Sequence, residues 1–141
     1  IYLKTLNYSE NILAKQDAAK FGYNESLFLN TKGKLCEGSM SNLFFIKDKI
    51  LYTPSMDCGI LPGITRMVVE ELAVKQVCMD TQEGEYTCDQ LLDADEAFLT
   101  NSAMEIMPLV SVGDKPIANG IPGNATREFI KAYKSYVKKN L

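Results

Sequence analysis

The sequence predicts a single α+β domain. Three features carry that prediction: strand-type apolar runs gather between residues 26 and 53, helix-type apolar spacing follows residue 66 and again residue 124, and no repeat or linker divides the chain. Apolar residues make up 46% of the 141 and charged residues 23%, the proportions of a folded chain long enough to bury a core.

Residues 2–4 read as the end of a strand, and Ser9 or Asn7 caps a helix running through Phe21. Ile12, Leu13, Gln16, Ala19 and Lys20 fall at helical spacing there, and Gly22 is the stop. Residues 26–31 then read as a strand, Lys32-Gly33-Lys34 as a hairpin turn, and 35–46 as one long strand carrying Glu37 and Gly38. The glycine marks a bulge or a close approach. Lys47-Asp48-Lys49 turns the chain into residues 50–53, completing a three-stranded meander. A helix follows from Arg66 with Thr65 as its cap, 77–81 is extended, and Thr87 caps a short helix ending at Leu92. Residues 97–100 form an apolar strand, interrupted by Thr100-Asn101-Ser102 before 104–112 resumes it; polar groups between two buried runs need partners. Gly113-Asp114 is a turn and Pro122-Gly123-Asn124 opens a last helix. Phe129, Tyr133, Tyr136 and Val137 share one face of it, and Lys138-Lys139 complements its dipole, so this helix reads as packing.

Composition narrows the function. A net charge of -3 with Lys and Arg scattered gives no basic stripe, and the longest apolar run, residues 43–46, cannot cross a bilayer, so neither nucleic acid nor membrane is expected as a partner. Cys36, Cys58, Cys78 and Cys88 are widely spaced, which reads as reduced thiols in a cytoplasmic protein. The chain has no histidine, which removes Ser-His triads, imidazole bases and nearly all zinc sites; no metal is expected, and acid-base work falls to Lys, Glu, Asp, Tyr or Cys.

The run Gly59-Ile60-Leu61-Pro62-Gly63-Ile64-Thr65-Arg66 reads as a phosphate cup. Two glycines bracket a proline ahead of a helix start, whose first amides, at Ile64 and Thr65, lie at the positive end of the helix dipole. An ordinary loop before a capped helix is the alternative. Lys4, at the end of an apolar strand, is either a nucleophilic amine made neutral by burial or a surface lysine. Glu37, between Cys36 and Gly38 in a strand, needs a cationic partner, for which a protonated pyridine nitrogen or an arginine such as Arg66 would serve. Ser39, Ser41 and Asn42 form one polar cluster and residues 100–102 another, and with the cup they can line one pocket. Cys36 and Cys58 read as small buried apolar residues.

Four ordered motifs then point further: Leu3-Lys4-Thr5-Leu6-Asn7-Tyr8, Glu37-Gly38-Ser39-Met40-Ser41-Asn42, the cup, and Thr100-Asn101-Ser102-Ala103-Met104-Glu105-Ile106. Together they resemble the class IV (fold-type-IV) aminotransferases, a family that includes branched-chain and D-amino-acid aminotransferases and aminodeoxychorismate lyase. The resemblance implies pyridoxal 5'-phosphate as cofactor, bonded through its aldehyde to Lys4, with Glu37 facing its ring nitrogen and Leu61 supporting its ring. It further implies that Gly63, Ile64, Thr65 and Ser102 bind the phosphate, that Tyr8 contacts the cofactor oxygen as in some members, and that Asn101 and Ala103 meet a small amino substrate.

As to fold, it implies that residues 1–141 are one cofactor-binding C-terminal domain with a mixed, barrel-like sheet flanked by helices. The family's smaller N-terminal domain would be missing, leaving the isolated chain weakly active, and the full-length enzyme would be a homodimer. The run Thr100-Asn101-Ser102, with Glu83-Gly84-Glu85-Tyr86 and Tyr52-Thr53-Pro54-Ser55-Met56-Asp57, looks most like the lyase. A branched-chain or D-amino-acid aminotransferase is the alternative, and a domain with a relic pocket the second.

Overall fold

The computed structural model describes residues 9–140. Its organising strand is β3 (Asn42–Lys47), buried from Asn42 to Ile46 because both of its faces are covered. Side chains alternate across a strand, so Phe44 and Ile46 enter one core with Leu51, Val69, Phe98 and Phe129, while Leu43 and Phe45 enter another with Leu35, Leu91 and Leu99. That two-sided burial explains the uninterrupted apolar run Leu43-Phe44-Phe45-Ile46.

Along one edge β3 pairs antiparallel with β6 (Glu96–Asn101), from Asn42↔Thr100 to Ile46↔Glu96. Along the other it pairs with β4 (Ile50–Pro54) and, at the single rung Glu37↔Asn42, with β2 (Leu35–Gly38). β1 (Leu27–Leu29) pairs with β2, β7 (Glu105–Pro108) with β6, and β5 (Asp80–Gly84) runs parallel to β4. The parallel pair makes the sheet mixed, as expected, but it does not close on itself: the barrel-like expectation is replaced by an open seven-stranded sheet that branches at β3. β8 (Ser111–Val112) and β9 (Lys115–Pro116) form a separate ribbon.

Two helices cover the Phe44 face. α2 (Ile64–Leu72) contributes Val69, and α4 (Asn124–Asn140) contributes Phe129, whose ring lies 5.3 Å from that of Phe98. The start of α4 is held by a distant carboxylate: Glu96 accepts from the amides of Ala125 at 3.1 Å and Thr126 at 2.7 Å, satisfying first-turn donors that have no partner in their own helix. α3 (Cys88–Leu92) has the expected Thr87 cap, with Gln90 completing a capping box. α1 (Ser9–Lys20) ends before Gly22, at φ +84°, as the sequence predicted, but buries none of its residues, so Ile12 and Leu13 stand exposed.

The expected long strand 35–46 is two strands. Gly38 N–H donates to Ser41 O at 2.7 Å, closing a tight turn, and a Cβ on Gly38 would collide with Ser41 Oγ. Apolar runs on both sides hid the turn, because its serines read equally well as strand residues. The Asp48-Lys49 turn is a two-residue connection with both residues left-handed, φ 50° and 64°, matching the twist of a hairpin. Residues 77–81 are not all extended: the helical path widens into a π-type turn at Ala73–Val77, and β5 begins only at Asp80.

Candidate active site

Asn42 begins β3 on the face shared by Phe44 and Ile46, so the apolar face packed on α2 and α4 turns polar at that end. Directly paired residues project to the same side of a sheet, which places Glu37 of β2, Asn42 of β3 and Thr100 of β6 in one row. Thr100 and Asn42 are buried, and Thr100 Oγ1 has no hydrogen-bond partner among the described residues.

The cup closes over this row. A 3-10 turn at Met56–Cys58 ends at Gly59, whose φ of +88° redirects the backbone, and the chain then crosses to α2. Asn42 Nδ2 donates to Leu61 O at 2.9 Å and to Glu37 Oε2 at 3.2 Å, and Leu61 N–H donates to the same Glu37 oxygen at 3.0 Å. Gly63, not Thr65, is the residue before the first helical position: it is extended, and a Cβ there would strike Asn42 Oδ1. The close approach, rather than a capping side chain, dictates the glycine. Ile64 and Thr65 open the helix, and their amides lack an i−4 acceptor. Thr65 is buried, its hydroxyl 3.4 Å from Tyr133 Oη, so α4 reaches the site as well as packing on the core.

Burial pushes the Glu37 carboxyl above its ordinary range, and the Leu61 amide pulls it back. Both hydrogen bonds it accepts from the described residues fall on Oε2. Arg66 is not its partner. That guanidinium is buried against Glu70 at 3.1 Å, Glu83 at 3.2 Å and Pro54 O at 3.3 Å, tying the first turn of α2 to the ends of β4 and β5.

Beside the row, Asn101 organises the next turn. Its Oδ1 accepts from the amides of Ala103 at 2.9 Å and Met104 at 2.6 Å, and its Nδ2 donates to Met40 O at 2.9 Å. The amide of Ala103, read from sequence as a substrate contact, is thus held by Asn101, and Ser102 and Ala103 are exposed at the tip. The structure therefore brings together Glu37, Leu61, Gly63, Ile64 and Thr65, with Asn101, Ser102 and Ala103 on the adjoining turn. Lys4 and Tyr8 lie outside the described residues. Two surface hollows, of about 330 Å³ beside Gln76 and Lys131 and about 170 Å³ beside Tyr52 and Tyr86, are lined by none of these residues. Sequence reasoning missed Tyr133, whose helical spacing reads only as packing, and Glu25, which no motif singles out. No group of metal-ligating side chains occurs among the described residues.

The amino-transferase class IV family model matches residues 1–112. The chain belongs to the class IV aminotransferase family. It is 37% identical over 131 residues to a probable branched-chain-amino-acid aminotransferase of Aquifex aeolicus, covering 93% of this chain and 42% of that protein. It is equally 37% identical, over 136 residues, to aminodeoxychorismate lyase of Bacillus subtilis, covering 96% and 46%. Among solved structures, the branched-chain amino acid aminotransferase of Thermobaculum terrenum in its PLP form superposes with a TM-score of 0.90 at 36% identity, over 96% of this chain and 44% of that one. The Escherichia coli branched-chain enzyme gives 0.87 at 34% identity, over 92% and 43%. The chain thus spans less than half the length of these relatives. Class IV aminotransferases are PLP-dependent enzymes, and the open, partly antiparallel sheet with its helices is their fold.

Proposed function

We propose that this chain is the cofactor-holding part of a pyridoxal-phosphate enzyme acting on a small amino substrate, with conversion of 4-amino-4-deoxychorismate to p-aminobenzoate and pyruvate as its reaction. The observation that carries the cofactor reading is the Glu37–Leu61–Asn42 cluster: an acid with one oxygen fixed, tied through Leu61 to the loop that opens α2, whose first amides have no acceptor in their own helix. An acid beside a helix start suits a ligand with a basic ring nitrogen at one end and a dianionic phosphate at the other.

When bound, the cofactor supplies an electron sink for negative charge developing beside the substrate nitrogen. Glu37 would hold a proton on the ring nitrogen, its carboxylate kept in place by Leu61 N–H and Asn42 Nδ2. Gly63, Ile64 and Thr65 would bind the phosphate with Ser102 as a second donor, Leu61 would support the ring, and Tyr8 would contact its oxygen. Lys4 would hold the cofactor through its aldehyde and supply the amine that moves the substrate proton. Asn101 acts by shaping the 101–104 turn, so that the Ala103 amide and the exposed tip border the substrate.

The lyase assignment draws support from the run Thr100-Asn101-Ser102 and from the 37% identity to the Bacillus subtilis lyase across 96% of this chain. Amino transfer to a 2-oxo acid is the second reading, favoured by the names of the Aquifex aeolicus and Escherichia coli relatives. We read the full-length enzyme as a homodimer in the cytoplasm. Supplying it with aminodeoxychorismate, and separately with L-leucine or D-alanine plus 2-oxoglutarate, separates the readings. Pyruvate from the first and no new amino acid from the others supports the lyase; the reverse makes it an aminotransferase. Full activity in Lys4→Ala would defeat both.

A further inference from the structure

Glu25 lies between α1 and β1, outside every motif that marks the site, yet its carboxylate is the hub of the turn that separates Glu37 from Asn42. Oε1 accepts from the amides of Ser26 at 3.0 Å and Ser39 at 3.3 Å and from the Ser39 hydroxyl, while Oε2 accepts from Ser41 Oγ at 3.1 Å. Ser39 and Ser41 are 1% and 6% exposed, so this carboxylate satisfies hydroxyls that water cannot reach. The packing is equally close: a Cβ on Gly38 would lie 3.2 Å from Glu25 Cγ and Cδ.

The outer side of the same turn is held by amides from elsewhere, Asn11 Nδ2 donating to Ser39 O at 2.6 Å and Asn101 Nδ2 to Met40 O at 2.9 Å. The inner side has Glu25 and the Ser39 N–H to Ser26 O bond at 3.0 Å. Glu37 and Asn42 flank the turn and form the one rung recorded between β2 and β3, so the ladder itself does little to fix their separation. The turn between them, closed by Gly38 N–H to Ser41 O at 2.7 Å, connects the two residues that make the 3.2 Å bond from Asn42 Nδ2 to Glu37 Oε2.

We propose that Glu25 is a positioning residue for Glu37: by clamping residues 38–41 it sets the Glu37–Asn42–Leu61 geometry from outside the ligand site. The proposal rests on the reading of Glu37 as the acid facing the cofactor ring, but the clamp can be tested without ligand. In the full-length protein, Glu25→Ala should speed amide hydrogen exchange at residues 38–42 and at Leu61 while leaving β5 and α4 unchanged. With cofactor added, it should raise the Kd for pyridoxal phosphate by about tenfold or more and move the visible band of the bound cofactor.

Glu25→Gln keeps an acceptor for the two amides and a donor for a serine oxygen, and should restore Kd to within about threefold of wild type. A merely structural role would not move the band in a folded variant. Should Glu25→Ala not fold, Ser39→Ala with Ser41→Ala removes the same hydroxyl contacts and takes its place. Unchanged exchange at Leu61 together with an unchanged Kd and band in a folded variant overturns the proposal. Faster exchange in a protein whose wild type and Glu37→Gln forms both ignore pyridoxal phosphate would uphold the clamp and sink the cofactor reading instead.

Discussion

Glu37 and Leu61 stand 24 positions apart and are joined by one hydrogen bond, Leu61 N–H to Glu37 Oε2 at 3.0 Å. Through it the acid of β2 is tied to the backbone of the cup, and Asn42 braces both with bonds of 2.9 and 3.2 Å. A carboxylate so held has one oxygen fixed by two donors from separate elements.

Glu37→Gln therefore tests the acid without removing its shape. A charge-assisted hydrogen bond is worth about 1.5–3 kcal/mol, so cofactor affinity in the full-length enzyme should fall roughly ten- to hundredfold. An absorbance titration reads this directly. An unchanged Kd would remove Glu37 from the site.

Gly63→Ala addresses the close approach. The added methyl would strike Asn42 Oδ1 and push Asn42 off Leu61 O, so stability should fall by about 1–3 kcal/mol and phosphate affinity with it. Thermal melts with and without inorganic phosphate separate the two effects. Asn42→Ala, which removes the obstacle, should make the glycine replacement less harmful than it is alone.

The Arg66 cluster gives stability a pH dependence. Burial raises the Glu70 carboxyl to about 7; Arg66 pulls against the rise and Glu83 adds to it. Unfolded, the group releases its proton near its ordinary 4.5, so between 4.5 and about 7 the folded state binds more protons than the unfolded one. Stability from this group is thus greatest below 4.5 and declines as pH rises to about 7. With the Glu70 side chain 22% exposed, screening reduces the effect to about 1 kcal/mol. Melting temperature measured from pH 5 to 8 in wild type and Glu70→Gln should diverge at the acid end, wild type gaining about 3 °C on the variant. Parallel curves would refute the assignment.

Two aromatic residues of α4 should behave differently. Phe129 is fully buried against Phe98, and Phe129→Ala should destabilise by about 3–5 kcal/mol. Tyr133→Phe removes only a hydroxyl 3.4 Å from Thr65 Oγ1, and should cost less than about 1 kcal/mol while weakening phosphate binding. Chemical denaturation gives the first and ligand titration the second.

Much of this arrangement was legible in the chain because local rules and tertiary contacts agree. The Thr87 cap, the Gly22 stop and the turn at 47–49 are short-range features; the first two formed where the sequence placed them, and the third formed at Asp48-Lys49 with Lys47 ending β3. The failures have a common origin in long-range contacts. Gly63 outranked Thr65 as the helix opening because Asn42, 21 positions earlier (63 minus 42), occupies the space a side chain would need. Arg66 found Glu83 rather than Glu37 because β5 runs parallel to β4 and delivers Glu83 opposite Thr53. Glu25 was invisible for the same reason, since its partners belong to a turn that reads in sequence as unbroken strand.

Because β3 sends Phe44 into the core and Asn42 to the cup two residues apart, fold robustness and the geometry of the proposed ligand site share one rod. An engineer wanting a new substrate should leave that rod alone and diversify the tip at Ala103, whose side chain faces solvent while its amide is held by Asn101.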